Sequence, residues 1–456
     1  MSLEIIILAA GQGTRMKSSL PKVLHSLAGR SLLQHVVDTA SQLHPTAIHV
    51  VTGHGSDQVR NSIEHPGLQW VEQREQLGTG HAVMQAMPGV SPGSVVLVLY
   101  GDVPLTQLAT LRQLVALAEE GPALLTAHLA DPQGYGRIVR DANDNLVAVV
   151  EHKDANDEQR KIREINTGLL AAPRADLQRY LPLVKNDNKQ GEYYLPDVLS
   201  LAVEDGKTIG SCCAENELEI LGVNDRVQLN QVEREYQRRL AEALMRAGVS
   251  LADASRLDVR GSLTCAEDVS IDVNVVFEGT VVLGSGVKIG ANCVISNAVI
   301  GDNTVINPMS HIDSSTIGSA CSVGPFARLR PGTVLADKAR IGNFVETKNA
   351  QVGAGSKVNH LTYIGDCDMG SDVNIGAGTI TCNYDGVNKY RTTIGSGVFV
   401  GSNSTLVAPL DLEVNSFVGA GSTVTKKVAA GELAVGRARQ RNIAGWDRPA
   451  KKRSED

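Results

Sequence analysis

Between about Cys265 and Lys427 the sequence repeats one short pattern, a large apolar residue followed directly by glycine. The separation between successive pairs always lies within one residue of a multiple of six. Such a hexapeptide repeat predicts a parallel β-helix, in which short strands form triangular coils, aliphatic side chains fill the axis and glycine permits the corners. The thirteen pairs are Leu283-Gly284, Ile289-Gly290, Ile300-Gly301, Ile317-Gly318, Val323-Gly324, Ile341-Gly342, Val352-Gly353, Ile364-Gly365, Met369-Gly370, Ile375-Gly376, Ile394-Gly395, Val400-Gly401 and Val418-Gly419.

The first half of the chain has a different pattern. Three aliphatic runs, Glu4–Ala10, Ala47–Thr52 and Ser94–Leu99, have the composition of parallel strands buried on both faces. Helical stretches separate them, and this alternation predicts a doubly wound α/β sheet with ligands at the carboxyl ends of its strands. For 456 residues we predict a Rossmann-like α/β domain over 1–224, a helical linker over 225–250 and, over 251–456, a left-handed parallel β-helix with a basic tail that includes Lys452 and Arg453.

Composition limits the partners and the compartment. A formal net charge of −7 argues against general binding to nucleic acid. The amino-terminal MSLEIIILAAGQGTRM has no basic leader, and no run of about 20 apolar residues occurs, so we expect neither a signal peptide nor a membrane span. Seven cysteines, an odd number without CxxC, predict reduced thiols. The expected location is cytoplasmic, without nucleic acid or stable membrane association.

The stretch after the first predicted strand indicates phosphate binding. Leu8–Met16, LAAGQGTRM, is a glycine-rich turn whose backbone amides can face an anion. It lacks the Gly-Lys-Ser/Thr of a Walker loop, and Met16 replaces the last glycine of a dinucleotide fingerprint. Arg15 and Lys22 add two cations, which favours a triphosphate. The alternative is a tight strand-to-helix turn with solvated cations.

Asp102 follows the strand that ends at Leu99, in the crevice where the phosphates are expected. A carboxylate there can hold Mg²⁺ together with substrate phosphates, although a lone carboxylate at a strand end is more often a helix cap or a turn former. A cation at the α-phosphate would neutralise charge while a phosphate nucleophile attacks in line. The pattern alone therefore predicts nucleotidyl transfer.

In the predicted β-helix, the informative positions are those where the hexad fails. The long interval after Ile375-Gly376 contains GTITCNYDGVNKYRTT and predicts a loop that projects from a coil. Arg330, Lys348 and His360 are separated by three hexads and then by two, so we expect them to stack on one coil edge or round one corner. Stacked cations repel each other unless an anion lies among them, and a sugar phosphate would serve.

His360 is the candidate general base of the β-helix. An imidazole titrates near neutral pH and can deprotonate an amine, although an isolated histidine is more often a packing residue. His311 is the other histidine of this region. A zinc site of the carbonic-anhydrase type would need three histidines, so one chain provides too few, and only a ligand set shared between subunits would meet this count.

Motifs along nearly the whole chain resemble a family of bacterial enzymes, the bifunctional N-acetylglucosamine-1-phosphate uridyltransferases/glucosamine-1-phosphate acetyltransferases. The amino-terminal motifs are LAAGQGTRM (8–16), LPKVLH (20–25), EQLGTGHA (75–82), LYGDVPL (99–105), GYGRI (134–138), VEHKDA (150–155), EINTG (164–168), GEYYLPD (191–197) and GVNDR (222–226). The resemblance implies that Arg15 and Lys22 act on the phosphates and that Asp102 and Asn224 coordinate Mg²⁺. Gln12 departs from the lysine that is frequent in the family, which leaves one phosphate contact in doubt. The residues implied to bind UTP and the amino sugar are Leu8, Ala9, Ala10, Gly11, Lys22, Gln73, Gly78, Thr79, Tyr100, Gly101, Asp102, Gly136, Glu151, Asn166 and Asn224.

The carboxyl-terminal segments RLRPG (328–332), GNFVETKNA (342–350) and NHLTYIGD (359–366) resemble the acetyltransferase half of the same family. The resemblance implies His360 as the base. It further implies Arg330, Lys348, Tyr363 and Asn374 as ligands of glucosamine-1-phosphate, and Ala377, Asn383, Tyr384, Ser402, Ala420 and Arg437 as contacts of acetyl-CoA.

The resemblance implies a homotrimer that acetylates glucosamine-1-phosphate between subunits and then joins the product to UTP. The products would be pyrophosphate and UDP-N-acetylglucosamine, and the latter would feed the synthesis of peptidoglycan and lipid A. Two alternatives stay open at this point: a sugar nucleotidyltransferase whose β-helix is regulatory or structural, and a non-enzymatic trimeric scaffold with a vestigial nucleotide site.

Overall fold

The structure is a computed structural model and describes residues 2–53, 55–449 and 451. The described chain divides between Leu240 and Ala241 into two compact units. This division falls inside the linker predicted over 225–250, whose exact limits stay a prediction. Lys452 and Arg453 of the predicted basic tail lie outside the described residues.

The first unit is built on a mixed β-sheet. Its central strands are aliphatic because they are buried between parallel neighbours. In the first strand, β1 (Leu3–Ala9), Ile5 pairs with Ile48 on one side and with Leu97 on the other. The strands of this unit are β1 (Leu3–Ala9), β2 (Ser26–Leu27), β3 (Arg30–Ser31), β4 (Ala47–Thr52), β5 (Gln69–Glu72), β6 (Val95–Tyr100), β7 (Ala123–His128), β8 (Arg137–Arg140), β9 (Leu146–Val150), β10 (Glu164–Pro173) and β11 (Gly210–Cys213).

One strand departs from the parallel pattern that strand–helix alternation predicts. The sheet order is β11-β7-β10-β6-β1-β4-β5, and β10 runs antiparallel to both of its neighbours. The chain reaches β10 from β7 through the β8–β9 hairpin and the single-turn helix at 157–160. No long helix provides the crossover that a parallel strand needs, which explains the reversed direction.

Helices cover both faces of this sheet. Along β1, Ile5 and Ile7 belong to one hydrophobic cluster and Ile6 and Leu8 to another, as side-chain alternation requires. Ser31 caps the first helix by accepting a hydrogen bond from the Gln34 amide. The helices are α1 (Leu32–Ser41), α2 (Ser56–Ser62), α3 (Thr79–Ala86), α4 (Leu108–Leu117), α5 (Asp157–Arg160), α6 (Arg174–Tyr180), α7 (Asp197–Glu204) and α8 (Arg226–Arg246).

The second unit is a parallel β-helix. Equivalent positions stack from one coil to the next, as in the column Ile289, Ile306, Val323, Ile341 and Val358. One face consists of β12 (Ser250–Leu251), β14 (Ser270–Ile271), β16 (Lys288–Ile289), β19 (Val305–Ile306), β22 (Ser322–Val323), β25 (Arg340–Asn343), β27 (Lys357–His360), β29 (Asn374–Ile375), β32 (Phe399–Val400), β35 (Phe417–Val418) and β37 (Leu433–Ala434).

A second parallel sheet bends round the remaining faces. Its long strand β26, for example, pairs with both β23 and β24 of the preceding coil. The strands are β13 (Leu257–Cys265), β15 (Val275–Leu283), β17 (Val294–Ser296), β18 (Val299–Ile300), β20 (His311–Asp313), β21 (Thr316–Ile317), β23 (Arg328–Leu329), β24 (Val334–Leu335), β26 (Glu346–Val352), β28 (Tyr363–Met369), β30 (Ile380–Cys382), β31 (Thr392–Ile394), β33 (Thr405–Val407), β34 (Leu410–Leu412) and β36 (Thr423–Val424).

The predicted irregular coil is longer than its neighbours. Val358 pairs with Ile375 after a coil of ordinary length, whereas Ile375 must reach Val400 to find its own partner. The extra residues form the loop 384–391, which is exposed throughout. The predicted architecture, an α/β domain followed by a parallel β-helix, is confirmed. Within the described residues, no helix combines the length and the apolar character needed to cross a bilayer.

Candidate active sites

The first candidate site is a cleft of about 460 Å³ at the carboxyl ends of β1 and β6. Gly13, in the turn after β1, adopts a φ of 65°, and a Cβ there would lie 2.6 Å from the Cβ of Lys22. Only glycine therefore lets the turn fold back onto Lys22. The cleft is lined by Leu8, Ala9, Ala10, Gly11, Lys22, Val23, Gln73, Gln76, Gly78, Thr79, Ala82, Tyr100, Asp102, Glu192 and Asn224.

Three polar side chains from distant parts of the sequence meet in this cleft. The Lys22 ammonium forms an ion pair with Asp102 and donates a hydrogen bond to Asn224 Oδ1 at 3.2 Å. The Lys22 and Asp102 side chains are 13% and 14% exposed, so the pair is partly shielded from water. The Asp102 carboxylate and the Asn224 carbonyl oxygen thus converge on a single cation.

These two oxygens fit a divalent ion that completes its shell with substrate phosphates and water, the usual way in which proteins hold Mg²⁺. Within the described ranges, no group of three or more His, Cys, Asp or Glu side chains is placed to hold a metal by itself. A ligand set of one carboxylate and one amide therefore depends on oxygens from the substrate.

Residues predicted to hold the sugar lie next to the cleft. The Gly136 carbonyl accepts a hydrogen bond from the Asn166 amide at 2.9 Å, and a Cβ on Gly136 would lie 3.1 Å from Glu151 Oε1. Tyr100 joins this group to the cleft, because its ring packs where a Cβ on Gly168 would lie 2.6 Å away. Burial, followed by the charge of Asp102, raises the pKa of Tyr100, so its hydroxyl stays protonated.

Asp197 lies in this region, at the start of α7, and no role was predicted for it. Burial, assisted by the charge of Asp154, raises the pKa of Asp197 to about 6. Burial and then the Asp197 charge also raise the pKa of Glu151. Carboxyl groups with pKa values raised by burial and by a neighbouring charge occur preferentially at functional sites. The buried contacts that produce these shifts have no signal in the sequence.

Besides Gly136, Glu151 and Asn166, which lie next to the cleft, two more predicted residues do not line it. Gly101 lies behind it, where a Cβ would come within 3.1–3.3 Å of Leu33, Ala9 and Val23, so packing explains this glycine. Arg15 is exposed in the short turn Thr14–Met16. Gln12 lines an adjoining polar pocket together with Gln73, Arg74 and Gln76.

The second candidate site lies on the β-helix. Arg328 and Leu329 pair with Glu346 and Thr347, which places Arg330 beside Lys348 on successive coils. Lys348 is in turn paired with Gly365. The Tyr363 hydroxyl lies over Gly365, where any Cβ would collide with it, so the hydroxyl belongs to the same column as the two cations.

His360 does not stack on this column, so of the two expected arrangements, a stack on one coil edge or a group round one corner, the first does not hold for it. Its partner in register is Asn343 on the other sheet, and His360 Nδ1 lies 3.0 Å from Asn343 Oδ1. Two hexads make up two thirds of a coil, so His360 lies on a different face from Lys348, whereas three hexads return the chain to the same column. When Nδ1 donates to Asn343, Nε2 is the basic nitrogen. Asn343 lies in the motif GNFVETKNA (342–350), but no role was predicted for it.

The projecting loop 384–391 adds a second ammonium group, that of Lys389, for which no role was predicted. The neighbouring Lys389 ammonium and, to a smaller degree, burial lower the pKa of Lys348. Two ammonium groups this close favour a bound anion between them. Arg330, by contrast, forms an ion pair of 2.9 Å with Glu346.

Four of the residues predicted to contact acetyl-CoA follow one corner of the last coils, namely Ala377, Ser402, Ala420 and Arg437. Gly376 and Gly401 stack on successive coils through the hydrogen bonds Gly376 N–Val400 O, at 2.7 Å, and Gly401 N–Val418 O, at 2.8 Å. Ala377, Ser402 and Ala420 come directly after the stacked glycines 376, 401 and 419. Arg437 extends the column, since it donates to the Ala420 carbonyl at 2.6 Å. Asn383 is buried, Tyr384 is 58% exposed, and Asn374 lies on β29 beside Lys357 and Phe399.

Known proteins resemble both units. Residues 5–168 match a family described as MobA-like NTP transferase domain, and residues 259–352 match one described as GMPPB C-terminal domain. A bifunctional protein GlmU of Marinobacter nauticus is 56% identical over 450 residues, 98% of this chain and 99% of its own length. Another, from Burkholderia multivorans, is 55% identical over 453 residues, 99% of this chain and 100% of its own. This chain belongs to the GlmU family.

Membership of the GlmU family confirms the family predicted from the motifs. It also confirms the predicted activities, acetyl transfer and uridyl transfer in the synthesis of UDP-N-acetylglucosamine. A GlmU protein acts on small-molecule substrates, and its nucleotidyltransferase domain indicates a requirement for a divalent metal ion. Both rival hypotheses, the purely regulatory β-helix and the non-enzymatic scaffold, lose their basis.

Gly365 gives a first test of the β-helix site. Gly365→Ala should lower the kcat/KM of acetyl transfer at least about tenfold, because the new Cβ displaces the Tyr363 hydroxyl and with it the hydrogen bond that Tyr363 is predicted to make to the substrate. Uridyl transfer should not change. Steady-state assays of both activities measure this, and Tyr363→Phe should match the loss. Full acetyl transfer by Gly365→Ala would contradict the position inferred for this hydroxyl.

Proposed function

We propose that the cleft at β1 and β6 catalyses uridyl transfer and that the coil surface around Lys348 and His360 catalyses acetyl transfer. The convergence of Lys22, Asp102 and Asn224 carries the first assignment. Asp102 lies 80 positions and Asn224 lies 202 positions after Lys22 in the sequence, yet the Lys22 ammonium forms hydrogen bonds with both side chains. The proposed limits of the parts are 1–224, 225–250 and 251–456.

In acetyl transfer, the phosphate of glucosamine-1-phosphate binds at Arg330 and Lys348, while Tyr363 and Asn374 bind the sugar. His360 Nε2 takes a proton from the amine as its nitrogen attacks the thioester carbonyl. The carbon–sulfur bond breaks, and the CoA thiolate leaves and is protonated. Ala377, Asn383, Tyr384, Ser402, Ala420 and Arg437 hold acetyl-CoA, Arg437 nearest its phosphates.

In uridyl transfer, the phosphate oxygen of N-acetylglucosamine-1-phosphate attacks the α-phosphorus of UTP, and pyrophosphate leaves. Gly11, Gln73, Gly78 and Thr79, with Leu8, Ala9 and Ala10, bind the nucleotide. Lys22 and Arg15 bind its phosphates, and Tyr100, Gly101, Gly136, Glu151 and Asn166 bind the sugar. Mg²⁺ held by Asp102 and Asn224 would neutralise phosphate charge. The Lys22 ammonium, which now pairs with Asp102, would then turn to the phosphates.

The chain is proposed to act as a homotrimer through its β-helix, with acetyl-transfer sites between subunits. An exposed apolar corner supports this assembly: Met309, Phe326, Phe344 and Leu361 are 48–62% exposed and all have positive φ. Phe326 and Phe344 stack at 5.2 Å between ring centroids. Exposed apolar stripes of this kind mark protein interfaces.

Light scattering tests the trimer. The molar mass should be three times the 48.4 kDa of one chain. Phe344→Asn should shift it towards the monomer, because asparagine tolerates the positive φ but removes apolar area. A monomeric wild-type chain would refute the trimer, and a trimeric Phe344→Asn would place the interface on another corner.

A single incubation tests the function. Acetyl-CoA, glucosamine-1-phosphate, UTP and Mg²⁺ are supplied together, and free CoA, pyrophosphate and UDP-N-acetylglucosamine are measured. Pyrophosphate and UDP-N-acetylglucosamine should form in equal amounts, and free CoA in at least that amount. Free CoA without the UDP-sugar would refute the uridyl-transfer site, and UDP-sugar formed only when N-acetylglucosamine-1-phosphate is supplied would refute the acetyl-transfer site.

A further inference from the structure

Asp366 is a buried carboxylate beside the proposed acetyl-transfer site. Among the described residues of the β-helix it is the one acidic residue that is buried, with 8% of its surface exposed. Its two oxygens have different partners: Oδ1 accepts from the Asn349 side-chain amide at 2.6 Å, and Oδ2 accepts from that of Asn383. Asn349 and Asn383 each lie 17 positions from Asp366, so the three form an amide–carboxylate–amide ladder over three successive coils.

This carboxylate is ionised. Burial opposes its charge, but the amides of Asn349 and Asn383 and the charges of Lys348 and Lys389 outweigh burial and lower the pKa of Asp366. An ionised carboxylate can only accept hydrogen bonds. Both neighbouring amides must therefore turn their nitrogen atoms towards it.

The consequence for Asn383 is a fixed amide. With its nitrogen held by Asp366, the amide has a fixed orientation, and it lies close enough to the Tyr363 hydroxyl to interact with it. Asn383 is also the last residue before the exposed loop 384–391, and its backbone carbonyl accepts from the Tyr390 amide at 2.8 Å where that loop closes. A rotated amide would exchange the positions of its donor and its acceptor for any molecule bound beside Tyr363.

We propose that Asp366 is a positioning residue for acetyl transfer: its carboxylate fixes the orientation of the Asn383 amide beside Tyr363 and the exposed loop 384–391. The inference rests on the proposed acetyl-transfer site and adds to it a residue that need not touch the substrates. Asn349 holds the other carboxylate oxygen and thereby keeps Asp366 in register.

Asp366→Asn is the direct test. The variant keeps the size of the side chain and tolerates the φ of 46°, but its amide can satisfy only one neighbour as an acceptor. We expect kcat/KM for acetyl-CoA, at saturating glucosamine-1-phosphate, to fall about 10- to 100-fold, the range for a hydrogen bond to a charged group. Asp372→Asn, the same change at an exposed corner residue with a φ of 55°, should retain wild-type activity.

A double-mutant cycle separates positioning from a structural role. If Asp366 acts through Asn383, then adding Asp366→Asn to Asn383→Ala should lower activity less than about twofold further, since interacting residues are not additive. Losses that multiply would overturn the inference, and so would an Asp366→Asn enzyme as active as wild type. If Asp366→Asn melts below the assay temperature, Asp366→Glu, which keeps the charge but moves the carboxylate, should show the same cycle.

The two proposals fail differently. A wild-type chain that releases no CoA in the presence of glucosamine-1-phosphate refutes the acetyl-transfer function itself. An active wild type with additive variants refutes only the role of Asp366.

Discussion

Replacing His360 with alanine is expected to lower the kcat of acetyl transfer about 10²–10⁴-fold, the usual contribution of a positioned general base. The amine of glucosamine-1-phosphate must lose a proton during attack, and His360 Nε2 is left basic when Nδ1 donates to Asn343. Release of CoA measures this step. The loss should be largest near neutral pH and smaller at high pH, where more of the amine is already deprotonated.

The same chain provides the control for His360. Uridyl transfer from added N-acetylglucosamine-1-phosphate should be unchanged, because its proposed site lies in the other compact unit. His311→Ala, at an exposed histidine of β20, should retain both activities. Loss of both activities in His360→Ala, or of neither, would refute the assignment.

Asp102→Ala should lower uridyl transfer about 10²–10³-fold, the range for removing one charge-stabilising group from an active site. The substitution removes the carboxylate from the proposed metal site and leaves the partly buried Lys22 ammonium without its ion-pair partner. Pyrophosphate release from UTP, measured over a range of Mg²⁺ concentrations, should require more Mg²⁺ as well as being slower.

Acetyl transfer by Asp102→Ala should equal that of the wild type, which excludes general misfolding. The backbone of residue 102 keeps its own role, since its carbonyl accepts from the Val223 amide at 2.9 Å whichever side chain is present. Unchanged pyrophosphate release with an unchanged Mg²⁺ dependence would refute the metal role of Asp102.

Periodicity predicted the fold more completely than it predicted the sites. The apolar–glycine pairs indicated the β-helix because a column such as Ile289, Ile306 and Val323 must place one aliphatic residue on the axis in every coil. The aliphatic runs likewise predicted β1, β4 and β6 to within one residue at each end. The direction of β10 escaped prediction, because a strand's own residues are the same whether its neighbours run parallel or antiparallel.

For the candidate sites too, the sequence predicted some features and not others. Strand ends and the glycine-rich turn indicated Lys22 and Asp102, the resemblance added Asn224, and the structure brings the three together. Spacing placed Arg330 beside Lys348 correctly, since three hexads complete one coil. For His360 it left two arrangements open, because a spacing that is a multiple of six identifies a position within a face and not which of the three faces carries it.

The sequence by itself determined the two kinds of architecture, the order of the parts and the family, because strand burial, hexapeptide periodicity and local motifs are written in residues close together along the chain. Only the tertiary structure decided that His360 pairs with Asn343, that the Tyr363 hydroxyl lies over Gly365 and that Asp366 holds two amides. Each of these is a contact between side chains or backbone that the coils bring together. The number of residues in the turn between two strands decides which residues meet in such a contact. A single inserted residue changes the partners, although the repeat pattern stays the same.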